Sequence, residues 1–200
     1  MRDRTGGSFG KVLFELFLVF VAVVAALYAS AWWEGRKAKA GGRAALVAFA
    51  DEMRSNKGWI TERLDHHLAI ARNARALLQE IAAGQQPPRD VDALRTRLTD
   101  GKGMRTPQLS RAAWDTAIAA NVVGAIPFAI MRRIALAYEI QRRLDALLDS
   151  LIDQFAAPSY YDASRMEATV TAFMVTFGMI HELETQQVAA YDDCLTMLGG

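Results

Sequence analysis

The residues of this chain with the widest chemical reach are its three histidines and the carboxylates near them. His66 and His67 are adjacent, and His181 stands far downstream with Glu182 and Glu184 close by. On a helix, neighbours point about 100° apart, so His66 and His67 cannot comfortably share one metal ion. Glu62 and His66 are four residues apart, and His181 and Glu184 are three apart, so each pair lies on one helix face. Two carboxylate–histidine faces on different helices have the general form of a helical metal site. A di-iron centre, however, needs two Glu-x-x-His motifs and further glutamates. The Glu62–His66 pair has one spacer too many.

His67 falls on an apolar face and reads as a core histidine bonded to a facing polar group. Glu184 or Gln187, where the last helix turns polar, is the expected partner. Nucleophilic catalysis has little to draw on. No Gly-x-Ser-x-Gly elbow occurs, and Cys194 has no histidine or carboxylate base suggested by its neighbourhood. Gly101-Lys102-Gly103 lacks phosphate-loop spacing and a preceding strand, and reads as a solvated turn. No catalytic set, metal site or cofactor is therefore expected. The lone cysteine excludes an internal disulfide. Cys194 could pair between chains or be acylated, and the favoured reading is a small apolar residue near a helix end.

These residues must be carried by helices, and the first helix is a special one. From Val12 to Trp33 the chain runs VLFELFLVFVAVVAALYASAWW, with Glu15 and Ser30 its strongly polar members. As a helix the segment would be roughly 33 Å long, against a hydrocarbon core of about 30 Å. Tyr28, Trp32 and Trp33 stand at its far end, where amphipathic rings favour the headgroup layer, and Arg36, Lys37 and Lys39 follow. Glu15 lies in the first turn, close enough to the boundary for a solvated carboxylate. A cleaved signal peptide is the rival reading, since Arg2, Arg4 and Lys11 precede the stretch and Ala29-Ser30-Ala31 has the form of a cleavage site. Its apolar stretch is longer than such peptides use, and no helix breaker precedes the site. The retained anchor is therefore preferred. Basic residues nearly balance across the span, so its orientation is set only by the tendency of a long domain behind a signal anchor to be translocated, which places the domain in the periplasm.

Beyond the anchor, Gly35, Gly41 and Gly42 interrupt an Ala/Lys/Arg-rich stretch, either a flexible joint or a continuing helix with weak points. Ile60, Leu64, His67, Ala71, Ala74, Leu78 and Ile81 then follow alternating steps of four and three, the seam of an amphipathic helix. Gly84 and Pro87-Pro88 end it. A short amphipathic piece follows (Val91, Leu94, Leu98), and Ser110 is a plausible N-cap for a second short helix carrying Trp114 and Ile118. After Gly124 and Pro127 a long helix presents Met131, Ile134, Tyr138, Leu144, Leu148, Leu151 and Phe155. Ala157-Pro158-Ser159 turns into the last, with Met166, Val170, Phe173, Phe177, Ile180, Leu183, Val188, Tyr191 and Leu195. No segment alternates as a strand does.

The expectation is an all-α protein: a transmembrane helix followed by an antiparallel bundle of three long and two short helices. Its divisions are a basic tail (1–11), anchor (12–33), juxtamembrane helix or linker (34–58) and bundle domain (59–200). Two stretches, Ala117–Met131 and Val170–Ile180, are more apolar than an exposed helix needs, which suits burial or a surface against bilayer or partner. With 52% hydrophobic and 22% charged residues, the chain is neither disordered nor a multi-span transporter. A net charge of +1 argues against a dedicated nucleic-acid binder.

Glu15, Leu18 and Val19, then Trp32, Glu34, Arg36 and Lys37, resemble the anchor of an uncharacterised family of bacterial single-pass membrane-anchored proteins, a domain of unknown function. That anchor starts with Glu-x-x-Leu-Val and leaves through a Trp-x-Glu-x-Arg-Lys-like exit. The run Asp51-Glu52-x-Arg54-x-Asn56 and the set Ala113, Trp114, Gly124 and Tyr138 are similar as well. The resemblance implies a topology, single-pass in the bacterial inner membrane, and no reaction. It marks Glu15 and Trp114 as residues to mutate.

The expected function is a non-enzymatic, membrane-tethered interaction or scaffold module of the bacterial envelope, meeting the lipid bilayer and a protein partner or second copy. Its membrane and interface residues would be Glu15, Trp32, Trp33, Arg36 and Lys37. Trp114, His67, His181 and Glu184 are candidates for interaction or a buried polar contact. A ligand-binding or sensory domain acting through a partner is the alternative, and a metal-dependent enzyme using Glu62, His66, His181 and Glu184 the second.

Overall fold

The computed structural model describes residues 6–157, 160 and 162–199. Arg2 and Arg4 of the basic tail, and Pro158 and Ser159 of the expected turn, lie outside them. Helix α1 runs unbroken over Gly6–Thr61, about 84 Å at the usual helical rise. It carries a window of mean hydropathy 2.3 with none of its residues buried, long and apolar enough to cross a membrane. No Gly or Pro interrupts residues 11–34, Ala and Leu among them favour the helix, and nothing in the Ala/Lys/Arg-rich sequence after them stops propagation.

Gly35, Gly41 and Gly42 therefore sit inside a helix rather than in a joint. At two of them the missing Cβ has a packing reason. A Cβ on Gly41 would lie 2.8 Å from Val122 Cγ1, and one on Gly42 would lie 3.2 Å from the Ala125 Cβ. Packing on α1 begins at these glycines and continues through Ala45, Phe49, Ala50, Met53, Asn56 and Ile60, all buried. The expected domain boundary at 59 thus falls within a stretch that already belongs to the core.

The anticipated seam does not start in one helix. α1 ends at Thr61, a turn occupies Glu62 and Arg63, and α2 covers Leu64–Ala82. Arg63 ties the break together: its guanidinium lies 4.3 Å from the centre of the Trp59 ring and donates to the Trp59 carbonyl at 2.8 Å. Restarting the helix shifts the buried stripe to His67, Ile70, Ala74 and Leu77, with Ala71 and Leu78 only partly covered. α2 stops through Gly84, at φ 90°, with the Gln85 amide returning to the Glu80 carbonyl at 3.0 Å. α3 (Val91–Thr99) is capped by Asp90, which accepts from the Ala93 amide at 2.8 Å.

An irregular segment over 100–111 leads to α4 (Ala112–Ala119). Arg111 occupies its cap position without a side-chain bond, and the first amides of α4 are met by the Ser110 hydroxyl, which accepts from the Ala112 amide at 3.2 Å, and by Glu52, which accepts from the Ala113 amide at 3.0 Å. A 3-10 turn at Val123–Ala125 and the extended Ile126 and Pro127 precede α5 (Phe128–Ala156), and α6 spans Met166–Gly199. Beyond α1 the described residues hold three long α-helices, α2, α5 and α6, and two short ones, with no strand.

Two apolar clusters result. One joins α1 with Ala117, Ile126, Ile134, Tyr138, Tyr191 and Cys194. The other joins α2 and α3 with Leu144, Leu148 and Leu151 of α5 and Met166 to Ile180 of α6. Leu109, on the irregular segment, packs against both. The first half of α5 thus lies with α1, at the end nearer the apolar stretch, and its second half lies with α2.

Candidate functional site

Where the clusters meet, the helices present polar side chains, and these converge on the 100–111 segment. The segment is largely exposed on its outer side, and the carbonyls and amides it turns against the helices have no pairing of their own, so they take partners from the helices. The adjacent histidines supply two. His66 Nε2 lies 2.7 Å from the Gly103 carbonyl oxygen, and His67 Nε2 lies 2.9 Å from that of Met104. Their 100° divergence on α2, unsuited to one metal ion, suits two successive carbonyls of a crossing strand of chain. Arg105, at φ 53°, is held in its left-handed conformation while its guanidinium donates to Glu62 at 3.0 Å.

His67 is bonded on its other side too. Nδ1 lies 2.9 Å from both Glu184 carboxylate oxygens, and both side chains are wholly buried. Each ring nitrogen thus faces an oxygen that can accept. The ring nitrogen facing Glu184 can donate to its carboxylate. A charge-assisted bond of this kind is stronger than a neutral one, and costly to leave half made.

A second set of residues grips the segment's end. Asn56 bonds Ser110 twice, its Nδ2 donating to the Ser110 carbonyl at 2.8 Å and its Oδ1 accepting from the Ser110 amide at 2.9 Å. Gln141 Nε2 donates to the same carbonyl at 3.1 Å. Glu52 accepts from the Ser110 hydroxyl at 2.6 Å, the Ala113 amide at 3.0 Å and the Tyr138 hydroxyl at 2.6 Å. Glu52 thus meets the first turn of α4, where a negative charge is favoured. Tyr191 donates to Gln141 Oε1 at 2.8 Å, and Gln187 Nε2 donates to the Ala137 carbonyl at 3.0 Å. Among the described residues, Gln187 Oε1 is buried with no hydrogen-bond partner.

Burial, and for Tyr138 the Glu52 carboxylate as well, pushes both tyrosine hydroxyls far above the usual range, so they act as donors. Burial likewise raises the Cys194 thiol to about 11, with Asp193 adding to it, and the side chain packs in the cluster around α1. A thiol so held is a poor nucleophile at neutral pH.

The other sequence candidates lie apart from this network or at its margin. Trp114 is half-buried, its ring 4.8 Å from that of Tyr138 and 6.1 Å from that of Phe49. His181 Nδ1 lies 3.3 Å from the Leu64 carbonyl, and Glu62 pairs with Arg63 and Arg105. Glu62, His66, His181 and Glu184 are therefore not brought together, and among the described residues no group of three His, Cys, Asp or Glu side chains could hold a metal ion. Glu15, Trp32, Trp33, Arg36 and Lys37 are exposed on α1, with the Arg36 guanidinium 4.4 Å from the centre of the Trp32 ring.

Glu52, Asn56, Ser110, Gln141 and Tyr191 are the network members that sequence reasoning missed as a polar set. One signal existed. The apolar stripe of α5 skips a rung between Tyr138 and Leu144, and Gln141 fills it. Comparison with protein-family models, curated proteins and solved structures found no significant match.

Proposed function

We propose that the chain is a single-pass protein of the bacterial inner membrane whose helical domain, held in the periplasm, serves as a non-enzymatic interaction or scaffold module. On this reading α1 and α2 together, α5 and α6 form an antiparallel bundle. Contacts between Asn56 and Tyr191, Lys57 and Asp192, and His67 and Glu184 support that arrangement. So does the position of α5, which starts at the anchor end and finishes against α2.

The observation that carries the proposal is the continuity of α1 from the apolar stretch into the packed core. A rigid junction fixes the domain's height and direction over the membrane, which is what a scaffold needs and a freely diffusing catalyst does not. The polar groups with catalytic potential also have a structural occupation, since His66, His67, Glu52 and Tyr138 bond the crossing segment or its neighbours. The anchored bacterial family that the span's ends resemble has the same topology.

The test is protease treatment of intact spheroplasts carrying the full chain, followed by detergent solubilisation and cross-linking. Loss of the domain with retention of the anchor, and a discrete cross-linked complex or homo-oligomer, is expected. A protected domain would overturn the periplasmic placement, and a strictly monomeric, uncross-linked chain would overturn the scaffold role.

A further inference from the structure

The connection between α4 and α5 packs on α1 at Gly41 and Gly42, where added Cβ atoms would meet Val122 and Ala125. Gly41 is eight residues past Trp33, which places this connection about 12 Å further along the helix axis. Tryptophans at a span's end sit at headgroup level. The connection is thus the part of the domain nearest the bilayer, just outside the headgroup layer, and an ordinary helix tilt lowers it further on one side.

At this place the chain exposes a large aromatic. Phe128, the first residue of α5, is 82% exposed, more than any other large apolar side chain described, including those of the span. Side chains on a helix lean toward its N-terminus. Since α5 begins at the anchor end, Phe128 leans out beyond that end of the helix, toward the membrane side. Arg132 lies one turn on, on the same face, with Arg133 beside it, both exposed, and Arg36, Lys37, Lys39 and Arg43 are exposed on the adjoining part of α1. An exposed aromatic flanked by exposed cations matches an anionic interface, where the ring sits among the headgroups and the guanidinium groups meet phosphates. Glu139 and Asp193 share the groove beside Arg132 and Arg133, and the cations of α1 leave the membrane-facing side basic.

We propose that the α4–α5 connection rests on the anionic headgroup layer of the same bilayer that α1 crosses, with Phe128 among the headgroups and Arg132 and Arg133 on lipid phosphates. This contact rests on the reading of α1 as a span. It gives the domain a second point of attachment and so a fixed rotation about the anchor.

The test uses the full chain in nanodiscs, labelled with an environment-sensitive fluorophore at one introduced cysteine: Phe128→Cys, Ile152→Cys at the far end of α5, or Val24→Cys within the apolar stretch. Unsubstituted protein reports background labelling of buried Cys194. Nitroxide lipids should quench the label at 128, headgroup nitroxides most strongly, and leave that at 152 unchanged, while mid-chain nitroxides quench that at 24. Replacing anionic by zwitterionic lipid should reduce the quenching at 128. Quenching at 24 with none at 128 overturns the proposal and leaves the span intact. No quenching at 24 overturns the span itself.

Discussion

Replacing His67 by leucine should strip the crossing segment of one hold and leave Glu184 in the core without its partner. The magnitude follows from the geometry. Both side chains are wholly buried, and breaking such a pair from one side costs about 3–5 kcal/mol. For a domain of this size that corresponds to a fall in Tm of roughly 6–20 °C. In the double variant His67→Leu/Glu184→Leu the orphaned carboxylate is gone. What remains is the Met104 carbonyl without a donor, a cost of about 1–3 kcal/mol. The double variant should therefore melt above the His67→Leu single variant, although it carries one more substitution. The assay is thermal unfolding of the detergent-solubilised full chain, followed by near-ultraviolet circular dichroism. A His67→Leu protein as stable as the parent, or a double variant at least as unstable as the sum of its singles, would show that the two side chains are not a coupled buried pair.

Three further outcomes follow from the same structure. Tyr138→Phe removes one of the three donors to Glu52 and should cost about 1.5–3 kcal/mol, read as a lower Tm. Because burial raises the Tyr138 hydroxyl above its unfolded value of 10.0, its share of stability is complete below that pH and is lost as pH rises beyond it, so the parent but not Tyr138→Phe should show this part of the alkaline loss. Gly58→Ala, where a Cβ meets nothing within 4 Å, should stabilise by about 0.5–1 kcal/mol, whereas Gly42→Leu should destabilise by forcing Ala125 off α1, as paired melting curves would show. Cys194, its thiol raised to about 11 and buried, should resist a neutral maleimide at pH 8 until the protein unfolds, so rapid modification of the native protein would contradict its placement.

Much of the architecture can be read from apolar spacing alone. Met166, Val170, Phe173, Phe177 and Ile180 are buried in the order their steps of four and three predict, and the glycine after α2 stops that helix as its left-handed conformation allows. The break at Glu62 and Arg63 has no such signal, because both are good helix formers and the break is held by Arg63 folding back over Trp59. Gly41 and Gly42 mislead for the opposite reason: propensity marks them as weak points, while tertiary contact with Val122 and Ala125 demands their smallness. The pairing of His67 with Glu184 is suggested by two polar residues falling on apolar stripes. The Glu52–Asn56–Ser110 set is hidden, because its purpose is to satisfy a segment whose path over the helices exists only once the chain has folded. The two unusually apolar stretches divide. Phe173, Phe177, Ala117 and Ile126 go to the core, while Val175, Met179, Ile118 and Phe128 stay exposed.

α1 is one rod from the apolar stretch into the packed domain, and its continuity fixes the domain's position. Spin labels at Lys37→Cys and Ser55→Cys, both exposed positions of α1, measured by pulsed dipolar spectroscopy on the full chain in nanodiscs, test this directly. One helix predicts a single narrow distribution centred at about 27 Å for eighteen residues of rise. A broad distribution, or two populations, would mean a joint between the apolar stretch and the packed domain and would contradict it.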